Sequence, residues 1–229
     1  MKLKINKVIQ ETFDVKTLIF NKENINFKPG QYLTYKLNVK DERSGIRIFS
    51  LASSPTENFL MLSTKISQSG FKQALNKLKV NDEIEANGPY GQFVLDETKD
   101  AIMLSGGIGI TPLRSMIKYA LDKKLKIKLT LFYSNKIPEE IVYKKDLEEF
   151  SKNKNFKLVS TITRPEEVKE TWKGITGRID ASLIKKYCKN LNSIFYICGP
   201  PAMVDAMANL LKEMKINEEN IRIEHFTGY

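Results

Sequence analysis

The sequence has few of the residues that bind metals or form disulfide bonds. Among its 229 residues there are two cysteines, Cys188 and Cys198, with no Cys-x-x-Cys pair, and a single histidine. A disulfide framework, a structural zinc site and a cysteine-bound iron–sulfur cluster therefore lack their ligands. No metal site is predicted, and any redox chemistry of this chain is expected to use a bound organic cofactor.

Long apolar runs are also missing. No segment approaches the roughly 20 apolar residues that a membrane-spanning helix needs. The start, MKLKINKVIQETF, lacks the apolar block of a secretory signal. The sequence therefore predicts a cytoplasmic protein without membrane insertion.

Negative charge is scarce relative to positive charge, and the formal net charge is +10. The lysines are scattered along the chain, whereas a nucleic-acid-binding protein more often concentrates them in a stripe with interleaved aromatic residues. This pattern predicts a solvated lysine-rich surface and no nucleic-acid partner. The alternative is docking of an acidic partner, such as a small electron carrier, or of phosphates.

Residues 1–96 read as short segments rich in β-forming residues, separated by turn signals such as Lys28-Pro29-Gly30. A small antiparallel β-barrel is predicted here, because closure removes exposed strand edges. One stretch, FKQALNKLKV, instead has helical spacing of its apolar residues.

Residues 100–229 alternate between predicted strands and predicted helices. This alternation predicts a Rossmann-like α/β domain with a parallel sheet covered on both faces, after a linker at residues 95–100. Ligands of such sheets bind beyond the carboxyl ends of the strands, at the topological switch point.

Two loops of the second half each join a buried strand to a helix. The first runs from Ser105 to Pro112 and contains Gly107 and Gly109, and the second runs from Tyr196 to Met203. Glycine lets the backbone approach a pyrophosphate, and a helix N-terminus attracts anions. The loops therefore suggest a dinucleotide site, although glycine-rich turns also serve packing alone.

In the first half, strand alternation places Arg47 and Phe49 on one face, while Ser50 faces the other way. A guanidinium beside an aromatic ring suits a flavin nucleotide, since the one binds phosphate and the other stacks on the ring system. The alternative is an ordinary amphipathic strand.

Taken together, these segments resemble the ferredoxin-NADP reductase superfamily over nearly the whole chain. The six motifs that match it in order are Phe27-Lys28-Pro29-Gly30-Gln31-Tyr32, Arg47-Ile48-Phe49-Ser50, Gly88-Pro89-Tyr90-Gly91-Gln92-Phe93, Gly106 to Pro112, Cys198 to Met203, and Glu224-His225-Phe226.

The resemblance implies an FAD-binding barrel and an NAD(P)-binding domain, with the two rings stacked for hydride transfer. It implies that Arg47 contacts the flavin diphosphate, Phe49 stacks on the ring, and Ser50 binds near the reactive nitrogen. Cys198 would line the nicotinamide pocket, and Glu224 and Phe226 match the family's acidic and flavin-shielding positions, which leaves His225 a structural role. The other implied cofactor contacts are Ile48, Lys65, Gly70, Phe71, Gly107, Gly109, Thr111, Pro112, Gly199, Pro200 and Met203.

Three departures from the family pattern bear on the site. The family usually has Tyr where Phe49 stands, so stacking is kept but a hydroxyl is lost. Lys72 stands where Ser or Thr often faces the pyrophosphate, and it could substitute by charge. The chain continues past Phe226 to Tyr229, which leaves two candidates for the shielding aromatic; motif register favours Phe226.

The nicotinamide nucleotide is predicted from two strand ends. Ser134 and Lys136 follow the second strand of the nucleotide domain, and Arg164 follows the next. Lys136 and Arg164 could pair with a 2'-phosphate, and no acidic residue directly follows either strand to hold a ribose hydroxyl. NADPH is therefore the predicted donor, with NADH as the alternative.

The resulting hypothesis is a reductase that transfers hydride between NAD(P)H and bound FAD and exchanges electrons with ferredoxin or flavodoxin. The alternatives are a free-flavin reductase and an electron-transfer subunit of a larger redox complex. Related subunits that feed dihydroorotate dehydrogenases end in a cysteine cluster, which this sequence lacks.

Overall fold

The computed structural model describes residues 1–22, 25–168 and 172–226. They cluster into two compact units: the first contains residues 1–95 and 111–119, and the second contains residues 96–110 and continues from Ala120. Within the described ranges, no helix combines the length and apolar character of a membrane-spanning helix.

Within residues 1–95 of the first unit, the described part forms one antiparallel sheet and a short helix. Its strands are β1 (Lys2–Gln10), β2 (Val15–Asn21), β3 (Tyr32–Lys36), β4 (Ile46–Ser50), β5 (Phe59–Lys65) and β6 (Glu83–Tyr90), and its helix is α1 (Gly70–Lys77). The strand order is β4-β3-β6-β1-β2-β5. The predicted antiparallel fold of this half is confirmed, although no described ladder joins the outer strands β4 and β5.

Alternation along the strands builds the core of this unit. Inward positions of β1, β2 and β3 are fully buried, and α1 adds Phe71 and Leu75 to the same cluster. Helix α1 begins at Gly70 because the Ser69 side chain accepts a hydrogen bond from the Lys72 N–H at 3.4 Å, which satisfies one free donor of the first turn. The predicted helix is therefore confirmed, and its apolar face holds it on the sheet.

The second unit is built on a parallel sheet. Its strands are β7 (Ala101–Gly106), β8 (Leu129–Asn135), β9 (Phe156–Ile162), β10 (Ile175–Thr176), β11 (Ile194–Gly199) and β12 (Ile221–His225). The helices that lie between these strands in the sequence are α2 (Ile110–Asp122), of which residues 111–119 cluster with the first unit, α3 (Lys144–Phe150), α4 (Ala181–Tyr187) and α5 (Pro201–Glu213). The order is β10-β9-β8-β7-β11-β12, as the predicted α/β domain requires.

The strand order reverses between β7 and β11, because the chain runs outward from β7 to β10 and then returns to β11. This is the topological switch point, where α/β sheets bind their ligands. Both glycine-containing loops predicted from the sequence follow these two strands. The fold therefore places them side by side at the edge where a nucleotide site is expected.

Candidate functional site

Strand β4 presents two different faces. Arg47 and Phe49 are half-buried on one face, while Ile46 and Ile48 are 42% and 59% exposed on the other. The Phe49 ring lies 6.0 Å from the Phe71 ring of α1, measured between centroids. The predicted alternation is therefore present, and it turns the side chain of Ile48 away from Arg47 and Phe49.

Arg47 is fixed by three contacts, one of which is the hydrogen bond that its Nη1 donates to the carbonyl oxygen of Ile46 at 2.8 Å. Its Nη2 lies 2.7 Å from Oδ2 of Asp41, and its guanidinium lies 5.3 Å from the centroid of the Phe71 ring. The planar guanidinium is thus oriented at the start of α1, with donors left over for an anion.

Lys72 places a second cation in the same region. The residue is only 7% exposed, its Nζ donates a hydrogen bond to Oγ1 of Thr64, and the ammonium lies 4.9 Å from the centroid of the Phe49 ring. Desolvation, and then repulsion from Arg47, lowers the pKa of Lys72 to about 8. Among the described residues, no carboxylate lies within ion-pair distance of this ammonium.

These residues fit a diphosphate group. Arg47, Lys72 and the first N–H groups of α1 bring positive charge to one place, and a helix N-terminus adds free donors for an anion. A buried ammonium without a carboxylate is costly unless an anion binds it. Gly70 and Phe71 begin α1, and the Phe71 ring contacts the Arg47 guanidinium.

Two other predicted flavin contacts have different surroundings. Nζ of Lys65 lies 2.6 Å from Oδ2 of Asp14, so its charge is already paired. Ser50 is buried at the end of β4, where it pairs with Tyr32 of β3. The structure brings neither side chain together with Arg47 and Lys72 through a described contact.

In the second unit, the loops after β7 and β11 touch each other through glycine. A Cβ atom on Gly109 would lie 2.3 Å from the carbonyl oxygen of Cys198 and 2.6 Å from Cα of Gly199, and one on Gly106 would lie 2.6 Å from Sδ of Met203. Close packing against backbone atoms therefore requires glycine at Gly109, whereas at Gly106 the flexible Met203 side chain could move aside.

Gly107 differs from its neighbours. Its φ is +52°, no atom lies within 4 Å of the position of a Cβ, and its carbonyl accepts a hydrogen bond from the Tyr133 hydroxyl at 2.9 Å. Open space beside a glycine just before a helix suits a bound phosphate. Thr111 and Pro112 are buried in the first turn of α2, where Pro112 loses no hydrogen bond.

Three polar side chains lie in register across the switch point. Cys198 of β11 pairs with Ser105 of β7 on one side and Glu224 of β12 on the other. Oγ of Ser105 and Oε2 of Glu224 are buried without a hydrogen-bond partner among the described residues. Such orphaned atoms fit a ligand that offers both a donor and an acceptor, as the nicotinamide carboxamide does.

Burial sets the protonation states of Glu224 and Cys198. It raises the pKa of Glu224 to about 7, so that the carboxyl group exists in both forms near neutral pH. Burial, together with the negative charge of Glu224, raises the pKa of the Cys198 thiol well above its usual value. Cys198 therefore remains a neutral thiol and can contact a ring without reacting as a nucleophile.

The end of the described chain is attached to β11 and α5. The N–H of Phe226 donates to the carbonyl of Gly199 at 2.9 Å, and Nε2 of His225 lies 2.9 Å from Oδ1 of Asp205. This agrees with a structural role for His225. Tyr229, the alternative shielding aromatic, lies outside the described residues.

The predicted 2'-phosphate residues lie together, but acidic side chains accompany them. The Arg164 N–H donates to the Lys136 carbonyl at 2.9 Å, which brings the ends of β8 and β9 together. Nη1 of Arg164 lies 2.9 Å from Oε1 of Glu167, and Oε2 of Glu140 accepts a hydrogen bond from the Lys136 N–H at 3.4 Å. Sequence reasoning missed both carboxylates, although each belongs to a Pro-Glu-Glu turn just after its strand.

Two family models match the chain. Residues 2–95 match the oxidoreductase FAD-binding domain, and residues 103–209 match the oxidoreductase NAD-binding domain.

Within the described ranges, no group of three or more His, Cys, Asp or Glu side chains is placed to hold a metal ion.

Curated relatives include two reductase components. The glycine betaine monooxygenase reductase subunit of Chromohalobacter salexigens is 31% identical over 96% of this chain and 62% of its own length. A subunit of the Na(+)-translocating NADH-quinone reductase of Haemophilus ducreyi is 31% identical over 80% of this chain and 49% of its own length. The chain thus spans about half to three-fifths of the length of these relatives.

A solved structure has the same fold over almost its full length. The ferredoxin NADP+ reductase of Neisseria gonorrhoeae, crystallised with FAD and NADP, matches with a TM-score of 0.79 at 22% identity, over 98% of each chain. At this identity the likeness shows the fold alone.

Proposed function

Because the chain belongs to the ferredoxin-NADP reductase superfamily and carries an FAD-binding and an NAD-binding domain, we propose that it is a reductase that takes hydride from NAD(P)H and delivers electrons to a separate carrier of the ferredoxin or flavodoxin type. The proposal includes the domain division at residues 1–96 and 100–229. It is carried by one observation on the described residues: each unit has a buried polar site that its own groups do not complete. In one unit the Lys72 ammonium has no carboxylate within ion-pair distance, and in the other the Ser105 and Glu224 oxygens have no hydrogen-bond partner.

The flavin side of the proposal concerns binding and orientation. Bound FAD supplies the chemistry of accepting a hydride and releasing electrons singly. Arg47 and the N-terminus of α1 would hold its diphosphate, and Phe49 would support its ring. Since Phe71 and the sheet core already fix the Phe49 ring, little rotamer freedom would be lost on stacking.

On the nicotinamide side, Gly107 and Gly109 would let the pyrophosphate reach the N-terminus of α2. Ser105 and Glu224 would bind the carboxamide, with Cys198 against the ring. Glu224 can donate a hydrogen bond while protonated and accept one while ionised, because its pKa is about 7. No general base is needed, since hydride transfer depends on proximity and ring alignment.

Two aromatic residues remain candidates for covering the flavin. Phe226 is proposed for this role because its N–H is bound to Gly199, next to Cys198. This hydrogen bond joins Phe226 to the loop that would hold nicotinamide, so a movement of that loop would also move Phe226.

The partner is proposed to be an acidic protein. A net charge of +10 favours docking of a negatively charged carrier over docking of a basic one. The two curated relatives are named as the reductase subunit of a monooxygenase and as a subunit of a quinone reductase. Their names favour, as a second candidate, an electron-transfer subunit that works inside a larger complex.

An anaerobic titration tests the main proposal. The purified protein is expected to be yellow, to be bleached by one equivalent of NAD(P)H, and to regain its colour when oxidised ferredoxin or flavodoxin is added. A protein that holds no FAD through gel filtration but reduces free flavin would be a free-flavin reductase. A stable stoichiometric partner that accompanies the protein through purification would favour the second candidate.

We propose NADPH as the preferred nucleotide, with Arg164 and Lys136 binding its 2'-phosphate. Replacing Arg164 with alanine is expected to lower kcat/KM for NADPH about tenfold relative to NADH, the effect of one charge-assisted contact. Glu167→Gln is the matched control: it releases Arg164 from its ion pair and should shift the preference towards NADPH. Steady-state kinetics with both nucleotides measures the ratio, and an unchanged ratio in both variants contradicts the assignment.

A further inference from the structure

The buried ammonium of Lys72 has no carboxylate within ion-pair distance in the part of the chain that the structure describes. The side chain sits between β5, which supplies the Thr64 hydroxyl, and β4, which supplies the face of the Phe49 ring. A hydroxyl and an aromatic face both stabilise a cation, but neither removes its charge. The lysine therefore gains most from a ligand that brings negative charge.

The other charged groups nearby do not compensate Lys72. Arg47 on β4 is a like charge and helps to lower the pKa of the lysine. Asp41, from the turn before β4, is ion-paired with Arg47, and Lys65 on β5 is paired with Asp14. Tyr35 on β3 is fully buried, and burial raises the pKa of its hydroxyl, so it stays neutral.

We propose that Lys72 is a specificity-determining residue of the flavin site, and that its ammonium binds the flavin diphosphate so that retention of the nucleotide depends on protonation of this one side chain. The inference rests on the proposed function and adds a regulatory property to it. A serine or threonine at this position would bind the same group with a hydroxyl, which does not titrate near neutral pH. Lysine replaces that contact with one that weakens as pH rises.

FAD affinity is expected to fall as Lys72 loses its proton. With a pKa of about 8, Lys72 is largely protonated at pH 7 and largely neutral at pH 9.5. A diphosphate stabilises the protonated form and raises this pKa, so FAD binding takes up a proton wherever the lysine is neutral beforehand. Because the contact is worth about tenfold in affinity, the dissociation constant of FAD should be flat below pH 7.5 and rise by a total approaching tenfold between pH 7.5 and 9.5.

The test compares FAD binding by four proteins between pH 6.5 and 9.5: the unchanged chain, Lys72→Met, Lys72→Ser and Lys77→Met. Flavin release from the purified flavoprotein is followed by its fluorescence, and calorimetry in two buffers of different ionisation enthalpy counts protons on rebinding. The unchanged chain and Lys77→Met, whose lysine is an exposed residue of the same helix, should take up about 0.5 proton per FAD at pH 8.5. Lys72→Met and Lys72→Ser should take up none from this source.

The experiment distinguishes the role of Lys72 from the binding of FAD by the chain as a whole. Lys72→Met should bind FAD about tenfold more weakly at pH 7, with almost no further loss up to pH 9.5, and Lys72→Ser should share its flat profile. Titration of the flavin itself is common to all four proteins and cancels. If FAD binds but all four share one pH profile, Lys72 does not have this role. If the unchanged chain binds no FAD at any pH, the proposed function fails as well.

Discussion

Replacing Gly109 with alanine is expected to abolish rapid reduction of the protein by NAD(P)H. The added methyl carbon would lie 2.3 Å from the Cys198 carbonyl oxygen and 2.6 Å from Cα of Gly199, which are both backbone atoms. Neither can swing aside as a flexible side chain could, so the loops after β7 and β11 must separate. A displacement of about 1 Å at a hydride-transfer site costs on the order of 100-fold in rate.

Stopped-flow measurement of flavin bleaching under anaerobic conditions gives this rate directly. Gly177→Ala is the matched control, because Gly177 lies outside both glycine-containing loops, no atom lies within 4 Å of its Cβ position, and only the strain of a φ of +96° opposes the change. That strain costs about 2 kcal/mol. Both variants should keep bound FAD, since the flavin residues lie in the other unit. Equal rates for Gly109→Ala and Gly177→Ala would show that the contact between the loops does not set the nucleotide site.

The fold could be predicted from the sequence because short alternating strands in the first half and repeated strand–helix units in the second half are both clear in the apolar pattern. The start of helix α3 was predicted wrongly. The apolar pattern predicts a helix from Glu140 onward, but α3 begins at Lys144, since Tyr143 is buried in a left-handed conformation with φ of +58°. The two-residue strand β10 was missed, because it is too short for any period to show.

The site was predictable where strand alternation alone places its residues, and less so where turn geometry or tertiary packing decides which side chains meet. The shared face of Arg47 and Phe49 follows from strand alternation alone. Glu140 and Glu167 were missed because a turn folds each one back onto its strand end, four residues after Lys136 and three after Arg164. The burial of Lys72 also depends on tertiary packing, since a lysine at that position of an isolated helix would extend into solvent.

Loss of Arg47 is expected to weaken FAD binding about 100-fold, or about 2.7 kcal/mol, because a bidentate, charge-assisted contact to the diphosphate disappears. The turn that carries Asp41 should keep its structure in Arg47→Ala. Oδ1 of Asp41 accepts hydrogen bonds from the backbone N–H groups of Arg43 at 3.0 Å and Gly45 at 2.8 Å, and these do not involve Arg47. The defect should therefore appear in flavin affinity and leave the folded structure in place.

Equilibrium fluorescence titration with FAD, together with a thermal melt of each variant without added flavin, separates these two effects. Arg47→Lys should lie between the alanine variant and the unchanged chain, since it keeps the charge but loses the planar fork that binds two oxygens at once. Arg43→Ala, whose side chain is exposed in the same turn, should bind FAD normally. If Arg43→Ala and Arg47→Ala lost equal affinity, general surface charge would account for binding. If instead the melting temperature of Arg47→Ala fell in proportion to its affinity, the cation would matter mainly through its contact with Phe71, and the diphosphate would have to be held by Lys72 and the N-terminus of α1.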